Sequence, residues 1–171
     1  MDLSYCKFSR SIPTSIDNLK SLHTLDLSHC EFSGSIPISL ENLTQITSLF
    51  LHGNHFSGNI PNVFNNLRNL ISLGLSSNNF SGQLPPLIQN LTNLQELGFS
   101  HNFNLFNWTI LSWLYTLPSL VGLDLSHNKL TSPIGEFQFD SLEYIDLSMN
   151  ELHGSIPSST FKLVNLEIIF L

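Results

Sequence analysis

The stretch LDLSHCEFSGSIPISLENLTQITSLFLHGNHFSG, residues 25–58, contains one pattern twice. Two leucines separated by one residue are followed each time by a small polar segment, Phe-Ser-Gly and, one residue later, Ile-Pro. The pattern continues in both directions, with apolar repeat starts at positions 19, 43, 67, 91, 117, 139 and 163. The intervals are 24, 24, 24, 26, 22 and 24 residues, so internal repetition is the main organising feature of the chain.

Each repeat predicts one short β-strand. Leu25 and Leu27 alternate with Asp26, which places the leucines on one face of a strand and the aspartate on the other. One repeat cannot bury its own leucines, so stability requires successive turns to stack about 4.8 Å apart. We therefore expect an α/β repeat solenoid: a curved, right-handed coil with a parallel β-sheet on its concave face. Residues 1–171 form one such unit of about seven 24-residue repeats, truncated at both ends.

A ladder of Asn or Cys follows the predicted strands. An amide at this point can donate to and accept from backbone groups that the turn would leave unpaired. We expect the two cysteines of the ladder to be small buried groups and free thiols rather than a disulfide, since their side chains point in parallel. The ladder residues are Cys6, Cys30, Asn54, Asn78, Asn102, Asn128 and Asn150.

The second half of the repeat is the more specific half. The glycine of Phe-Ser-Gly can adopt a backbone conformation that other residues rarely adopt, and the following proline fixes φ. We therefore expect an irregular or 3-10 convex side. The consensus LxxLxxLxLxxNxFSGxIPxxLxN resembles the plant-specific, extracellular class of leucine-rich repeat proteins. Residues 25–58 and SLEYIDLSMNELHGSIPSSTFKLVNLE, residues 141–167, look most like the ectodomains of Cf-type receptor-like proteins.

This resemblance implies a location and a function. It implies an extracellular, cell-surface ectodomain that senses a secreted microbial protein or peptide in plant defence. A co-receptor would then bind through regions outside this chain. Polygalacturonase-inhibiting proteins carry the same repeats, so an inhibitor of a secreted cell-wall-degrading enzyme is the alternative function. An ice-binding surface is a third, but its flat regular array is interrupted here by His52.

Composition excludes several classes of partner. Six Lys and Arg against thirteen Asp and Glu give a net charge of −7, which is wrong for nucleic acid. No apolar run is long enough to cross a bilayer. The bare ends of the solenoid would expose apolar side chains and unpaired strand groups, which predicts end-to-end self-association of the isolated chain.

Two repeats depart from the consensus. The repeat that begins at Leu91 is two residues longer than the others, and the next is two residues shorter. We expect Trp108, Trp113 and Tyr115 to fill the enlarged convex loop as local core.

Catalysis and metal binding are disfavoured. Ser126-His127 near Asp124 superficially offers a nucleophile, a base and an orienting carboxylate, but serine recurs in this column for reasons of repetition. His101 and His127 occupy the same column one turn apart without a third ligand at fixed geometry. We therefore predict no enzyme activity, no metal and no cofactor.

Varied side chains on a uniform scaffold are what recognition requires. We expect a protein or peptide ligand on the concave face, and a change of solubility and ligand affinity between about pH 7 and 5.5 as the seven histidines titrate. The candidate ligand-binding residues are Phe50, His52, Glu96, His101, Asp124, His127, Tyr144, Asp146 and Met149.

Four sequons predict N-glycosylation in a secretory pathway. Two of them hold the same repeat position two turns apart, at the end of the convex segment. The acceptor residues are Asn42, Asn79, Asn90 and Asn107.

Overall fold

The computed structural model describes residues 1–82, 85–102 and 112–171, and these form a curved right-handed solenoid. Its concave face is a parallel sheet to which each turn contributes one strand, in the order β2-β4-β6-β8-β9-β10-β11. Leucines stay in register across the sheet, so that Leu25 pairs with Leu49 and Leu49 with Leu73. Within the described residues, the seven strands of this sheet are β2 (Thr24–Asp26), β4 (Ser48–Phe50), β6 (Ser72–Gly74), β8 (Glu96–Gly98), β9 (Gly122–Asp124), β10 (Tyr144–Asp146) and β11 (Ile168–Phe170).

The early turns also form a second, smaller parallel sheet. Each of its strands comes after the concave strand segment of the same turn. Its order is β1-β3-β5-β7, and it is built from the Phe-Ser-Gly segments, with Phe56 of one turn opposite Gly34 of the turn before. The sequence analysis predicted irregular structure here and missed these strands. They are β1 (Ser9–Arg10), β3 (Glu31–Gly34), β5 (His55–Asn59) and β7 (Asn79–Ser81).

The convex side consists of short 3-10 helices, which confirms the predicted fold class. A proline in an extended conformation precedes most of these helices, and it sets the direction in which the chain enters the convex turn. A backbone N–H closes each of these turns, as in the bond from Leu43 N–H to Leu40 O at 3.0 Å. The helices span Thr14–Asn18, Ile38–Asn42, Asn62–Asn66, Pro86–Asn90, Ser112–Thr116 and Ser158–Lys162.

The core follows the leucine pattern in most turns. Leu25, Leu49 and Leu73 are buried beneath the concave sheet. Two of the seven apolar repeat starts depart from it, because Leu19 and Phe139 are 42% and 43% exposed. Phe139 directly follows the repeat that is two residues short.

A stack of phenylalanine rings, which we call the phenylalanine spine, runs through the second half of the repeats. Phe32, Phe56 and Phe80 are buried and nearly parallel, with ring centroids 6.1 and 6.3 Å apart. Phe8 extends the stack at one end, and Phe99, which comes from the concave strand segment, extends it at the other. Each ring packs against the ring one turn away, so the spine couples neighbouring repeats.

The ladder asparagines join one turn to the next by hydrogen bonds. The Nδ2 of Asn54 donates to Leu27 O at 2.8 Å and, within its own turn, to Leu51 O and His52 O. Its Oδ1 accepts the N–H of Phe32 at 2.9 Å. One amide thus satisfies backbone groups of two turns. The same bridging recurs at Asn78, Asn102, Asn128 and Asn150.

The two cysteines differ from each other. Cys30 is buried, and its Sγ donates to Leu3 O of the turn before at 3.1 Å. Cys6 is exposed, so the expectation that both are buried is wrong for Cys6. Cys6 lies in the first turn that the structure describes, whereas Cys30 is packed between two described turns.

We expect thiol titration to separate the two cysteines. Without reductant, the native protein should react rapidly with an aromatic disulfide reagent at Cys6 only, because Cys30 is buried. A second equivalent should react after unfolding. In a Cys6→Ser control the rapid phase should vanish, and unfolded wild-type protein with no reactive thiol would show that the cysteines form a disulfide.

The aromatic residues of the irregular repeat form local core where the structure describes them. Trp113 and Tyr115 are buried, as predicted, and Tyr115 packs edge-on against Phe137 at 5.1 Å. Gly135 lies directly against the Tyr115 ring, where a β-carbon would collide with it. Trp108 lies outside the described residues.

Candidate functional site: the concave face

The structure places all nine candidate ligand-binding residues on or beside the concave sheet. Five lie on its strands and are half-buried or exposed: Phe50, Glu96, Asp124, Tyr144 and Asp146. Four lie just after the strands: His52, His101, His127 and Met149.

The chain leaves each concave strand through a left-handed backbone corner. Non-glycine residues occupy this corner in most turns, although each such residue costs roughly 1–2 kcal/mol in this conformation. Gly53 has the same conformation, with φ of 66°, so the corner belongs to the scaffold rather than to one side chain. The sequence analysis did not predict it. The non-glycine residues at this corner, with φ between 52° and 55°, are Tyr5, His29, Ser77, His101, His127 and Met149.

Towards the N-terminal end, rings gather into what we call the imidazole cluster, formed by Tyr5, His29, Phe50 and His52. Tyr5 stacks on His29 with ring centroids 4.5 Å apart, and His29 meets His52 edge-on at 4.9 Å. Phe50 meets the edge of His52 at 6.0 Å. Tyr5 and His29 were not among the candidates, although they share the column of His101 and Met149.

Two glycines make room for these rings. A β-carbon at Gly53 would lie 2.7 Å from Nδ1 of His29, and one at Gly74 would lie 3.1 Å from both Phe50 and His52. The rings therefore lie close to the backbone of the following turn. Glycine in these columns, which looked like simple variation in the sequence, determines how the neighbouring rings pack.

Burial lowers the pKa of His52 below its ordinary value, and the nearby His29 lowers it further. Asp26 acts in the opposite direction but is a smaller influence. His52 is therefore neutral at pH 7. Because its folded-state pKa is depressed, its contribution to stability is present above the unfolded pKa of about 6.5 and is lost as pH falls through the folded value.

We predict that His52→Gln makes unfolding less sensitive to acid. Between about pH 7.5 and 5, thermal unfolding of the wild type should shift downwards more than that of the variant, since protonation breaks the cluster. His153→Gln, at an exposed histidine outside the cluster, is the control and should behave like the wild type. Parallel shifts in wild type and His52→Gln would contradict this account.

Towards the C-terminal end the concave face is acidic. The Glu96 carboxylate lies across Gly122, where any β-carbon would collide with it. Burial raises the pKa of Glu96, and the negative charge of Glu143 raises it further. Beside it, the Tyr144 hydroxyl lies 3.4 Å from Oδ2 of Asp146, and the pKa of Tyr144 is raised by burial and then by this negative charge.

The Ser126-His127 pair does not form a nucleophile–base arrangement. Ser126 is buried, and its Oγ donates to Oδ1 of Asp124 at 2.7 Å rather than to His127. Ser148 binds Asp146 in the same way at 2.6 Å. The aspartates also accept the N–H of these serines, so they brace the strand exit in addition to facing the concave side.

His101 and His127 are stacked, with ring centroids 4.0 Å apart and planes inclined by 14°. The nitrogen lone pair of an imidazole lies in the plane of the ring. In two stacked rings these lone pairs run parallel and do not converge on one metal ion. Among the described residues, no three His, Cys, Asp or Glu side chains are grouped so as to hold a metal ion.

Three of the four sequon asparagines lie within the described residues, and all three are exposed: Asn42, Asn79 and Asn90. Asn42 and Asn90 are each the last residue of a convex 3-10 helix. Asn107 lies outside the described residues.

No helix in the described parts of the chain has the length and apolar character that a membrane crossing needs. The Leucine Rich Repeat family model matches residues 1–19, 21–43, 45–67, 69–91, 119–139 and 141–163.

Among curated proteins, the chain is similar to Receptor-like protein 36 of Arabidopsis thaliana. The two are 44% identical over 57 residues, which cover 32% of this chain and 8% of that protein. The matched segment is therefore a small part of the relative's length.

Among solved structures, the plant peptide hormone receptor RGFR1, in complex with RGF2, has a TM-score of 0.89 and 32% identity. The match covers 96% of this chain and 26% of that receptor. The Arabidopsis receptor kinase HAESA, in complex with the peptide hormone IDA and the co-receptor SERK1, has a TM-score of 0.76 and 32% identity over 97% of this chain and 32% of its own. The chain thus belongs to the leucine-rich repeat family, with repeats of the kind that plant receptor-like proteins carry in their ectodomains.

Proposed function

We propose that this chain is a recognition module that binds an extracellular protein or peptide along its concave face. The observation that carries the proposal is the contrast between frame and surface on that face. Leucines and ladder asparagines repeat from turn to turn beneath the sheet, while the exposed columns change from aromatic and imidazole to acidic groups. RGFR1 and HAESA, which share the fold over nearly all of this chain, are each in complex with a peptide hormone.

The two ends of the concave face favour different parts of a ligand. The imidazole cluster offers ring faces and edges that suit aromatic or apolar side chains. Glu96, Asp124 and Asp146 suit Lys or Arg, and no strand of the larger sheet in the described residues carries a cation. A peptide lying across the strands with apolar residues at one end and basic residues at the other fits both.

We further propose that the ligand is a secreted microbial protein or peptide and that the chain acts in plant defence at the cell surface. The similarity to receptor-like proteins supports the location, and it leaves co-receptor binding to regions outside this chain. The presence of SERK1 in the HAESA complex supports the participation of a co-receptor in proteins of this kind.

The test is a binding screen of secreted microbial proteins and of plant secreted peptides on the immobilised chain. A true ligand should lose affinity at least about tenfold with Tyr144→Ala or Phe50→Ala, because aromatic residues dominate interface energies. The matched control is Phe161→Ala, at an exposed aromatic residue on the convex side. Ligands whose affinity depends on Phe161 and not on Tyr144 or Phe50 would contradict binding on the concave face. Binding of a plant peptide, with no microbial protein binding, would contradict the role in defence.

Glycosylation gives a separate prediction. Made in a plant secretory pathway, the protein should carry glycans at Asn42 and Asn90, which are exposed at the ends of convex helices. At Asn90 the glycan would replace the bond from Nδ2 to Oδ1 of Asn65 at 2.7 Å. Asn42→Gln and Asn90→Gln should each lower the mass of the intact protein by one glycan. Asn66 holds the same helix position but is followed by Leu-Arg, so it is the internal control and should stay unmodified. Unchanged mass in both variants would show that the sites are empty.

A further inference from the structure

A shallow groove of about 460 Å³ runs along the edge where the chain enters the concave strands. We call it the strand-entry groove. It crosses five successive turns, and at a strand spacing of about 4.8 Å its length is about 19 Å. Its polar lining comes from amide and hydroxyl side chains: Gln45, Thr47, Asn69, Asn93, Gln95 and Ser119.

The carbonyl groups at the strand entries beneath the groove accept hydrogen bonds from the following turn. His23 O accepts the N–H groups of both Thr47 and Ser48, at 2.7 and 3.1 Å. The carbonyl groups of Thr47 and Ile71 each accept two N–H groups from the following turn in the same way. An added peptide strand would find these carbonyl groups already paired, which favours recognition by side chains.

Two of the groove amides are held in place by the scaffold. Asn69 Nδ2 donates to Thr44 O at 3.0 Å, and Asn93 Nδ2 donates to Arg68 O at 3.1 Å. This fixes each amide plane and directs the remaining amide atoms to the groove. The exposed side chains of Gln45 and Gln95 make no hydrogen bond to the described residues. Gln45, Asn69 and Asn93 therefore offer donors and acceptors at one-turn intervals, and Gln95 adds a fourth amide in the same turn as Asn93.

The groove is uncharged. Its lining contains no Asp, Glu, Lys or Arg, and its one titratable residue, His23, binds Ser21 O through Nδ1 at 2.9 Å. Ionic ligands would have no countercharge here. The groove also offers a peptide no aromatic anchor and no deep apolar pocket. Ile71, 36% exposed, is the only aliphatic residue in its lining.

We propose that the strand-entry groove binds a neutral oligosaccharide. Vicinal hydroxyl groups both donate and accept, which matches side-chain amides, and the C–H face of a pyranose ring can lie on Ile71. A linear chain of sugar units suits a long, shallow, uncharged groove with repeated amides. The groove is distinct from the imidazole cluster and the acidic residues of the concave face, so this proposal does not depend on the peptide-binding function.

The test is an NMR titration of the 171-residue chain, isotopically labelled, with neutral tetrasaccharides supplied one at a time. The probes are cellotetraose, xylotetraose, mannotetraose and maltotetraose, and tetragalacturonate is the charged counterpart. At least one neutral probe should shift the side-chain amide signals of the groove with a dissociation constant of about 1 mM or lower. Tetragalacturonate should shift them far less.

Variants decide whether those shifts report the groove. Gln45→Ala with Gln95→Ala removes two exposed amides that the fold does not use, so the protein should keep its structure and lose affinity about tenfold. Gln89→Ala, at an exposed convex glutamine, should bind like the wild type. The proposal is overturned if no neutral probe shifts the groove amides, if tetragalacturonate binds as well as they do, or if the two variants lose affinity equally.

Discussion

Phe56→Ala should lower the free energy of unfolding by about 3–5 kcal/mol. The ring is fully buried in the middle of the phenylalanine spine, parallel to Phe32 on one side and to Phe80 on the other. Removing it leaves a cavity in the contact between three turns, and the neighbouring backbone cannot collapse into it because β3, β5 and β7 are paired there. Urea unfolding gives the measurement, from a change in midpoint at constant slope.

Phe161→Ala is the matched control for Phe56→Ala. That ring is 81% exposed on the convex side, so its loss should change stability by no more than about 0.5 kcal/mol. If the two variants lost similar stability, the spine would not be what couples these turns.

Asn54→Asp should cost more than about 3 kcal/mol. The side chain is only 6% exposed, and Nδ2 donates to three backbone carbonyls, of Leu27, Leu51 and His52. Aspartate keeps the acceptor for the N–H of Phe32 but replaces these donations with a buried negative charge facing carbonyl oxygens. Thermal unfolding at neutral pH gives the measurement.

Two further substitutions test whether the ladder bonds cause this loss. Asn54→Cys should be much milder than Asn54→Asp, because Cys30 holds the same column and its thiol donates to Leu3 O. Asn62→Asp, at an exposed convex asparagine, should leave stability nearly unchanged. Equal losses for the aspartate and cysteine variants at position 54 would show that the hydrogen bonds are not responsible.

Most of the fold follows from the repeat itself. Alternation of Leu25 and Leu27 around Asp26 is enough to predict a strand, and repetition of the strand every 24 residues predicts a parallel sheet. The proline before most of the convex segments likewise indicates a chain that cannot continue as an α-helix. These signals are local and recur, so no knowledge of distant contacts is needed.

What the sequence did not predict depends on contacts between turns. The smaller sheet forms because Phe-Ser-Gly segments lie side by side, which no single repeat reveals. The packing of His29 over Gly53 likewise links one turn to the next. The sequence predicted Asp124 only as an exposed ligand-binding residue. The structure shows that its carboxylate also accepts hydrogen bonds from Ser126. Cys6 and Cys30 hold the same column but differ in exposure, and this difference depends on the neighbouring turns rather than on the repeat pattern.

The smaller sheet also bears on how the solenoid would respond to force. In the described residues it joins the first four turns, through β1, β3, β5 and β7, while the larger sheet continues to β11. The first four turns are therefore joined through two sheets, whereas β8, β9, β10 and β11 belong to the larger sheet alone. Outside that sheet, the described later turns have the ladder amides and the bond from Glu151 N–H to Leu130 O at 2.9 Å. We therefore expect tension along the axis to open the later turns before the first four.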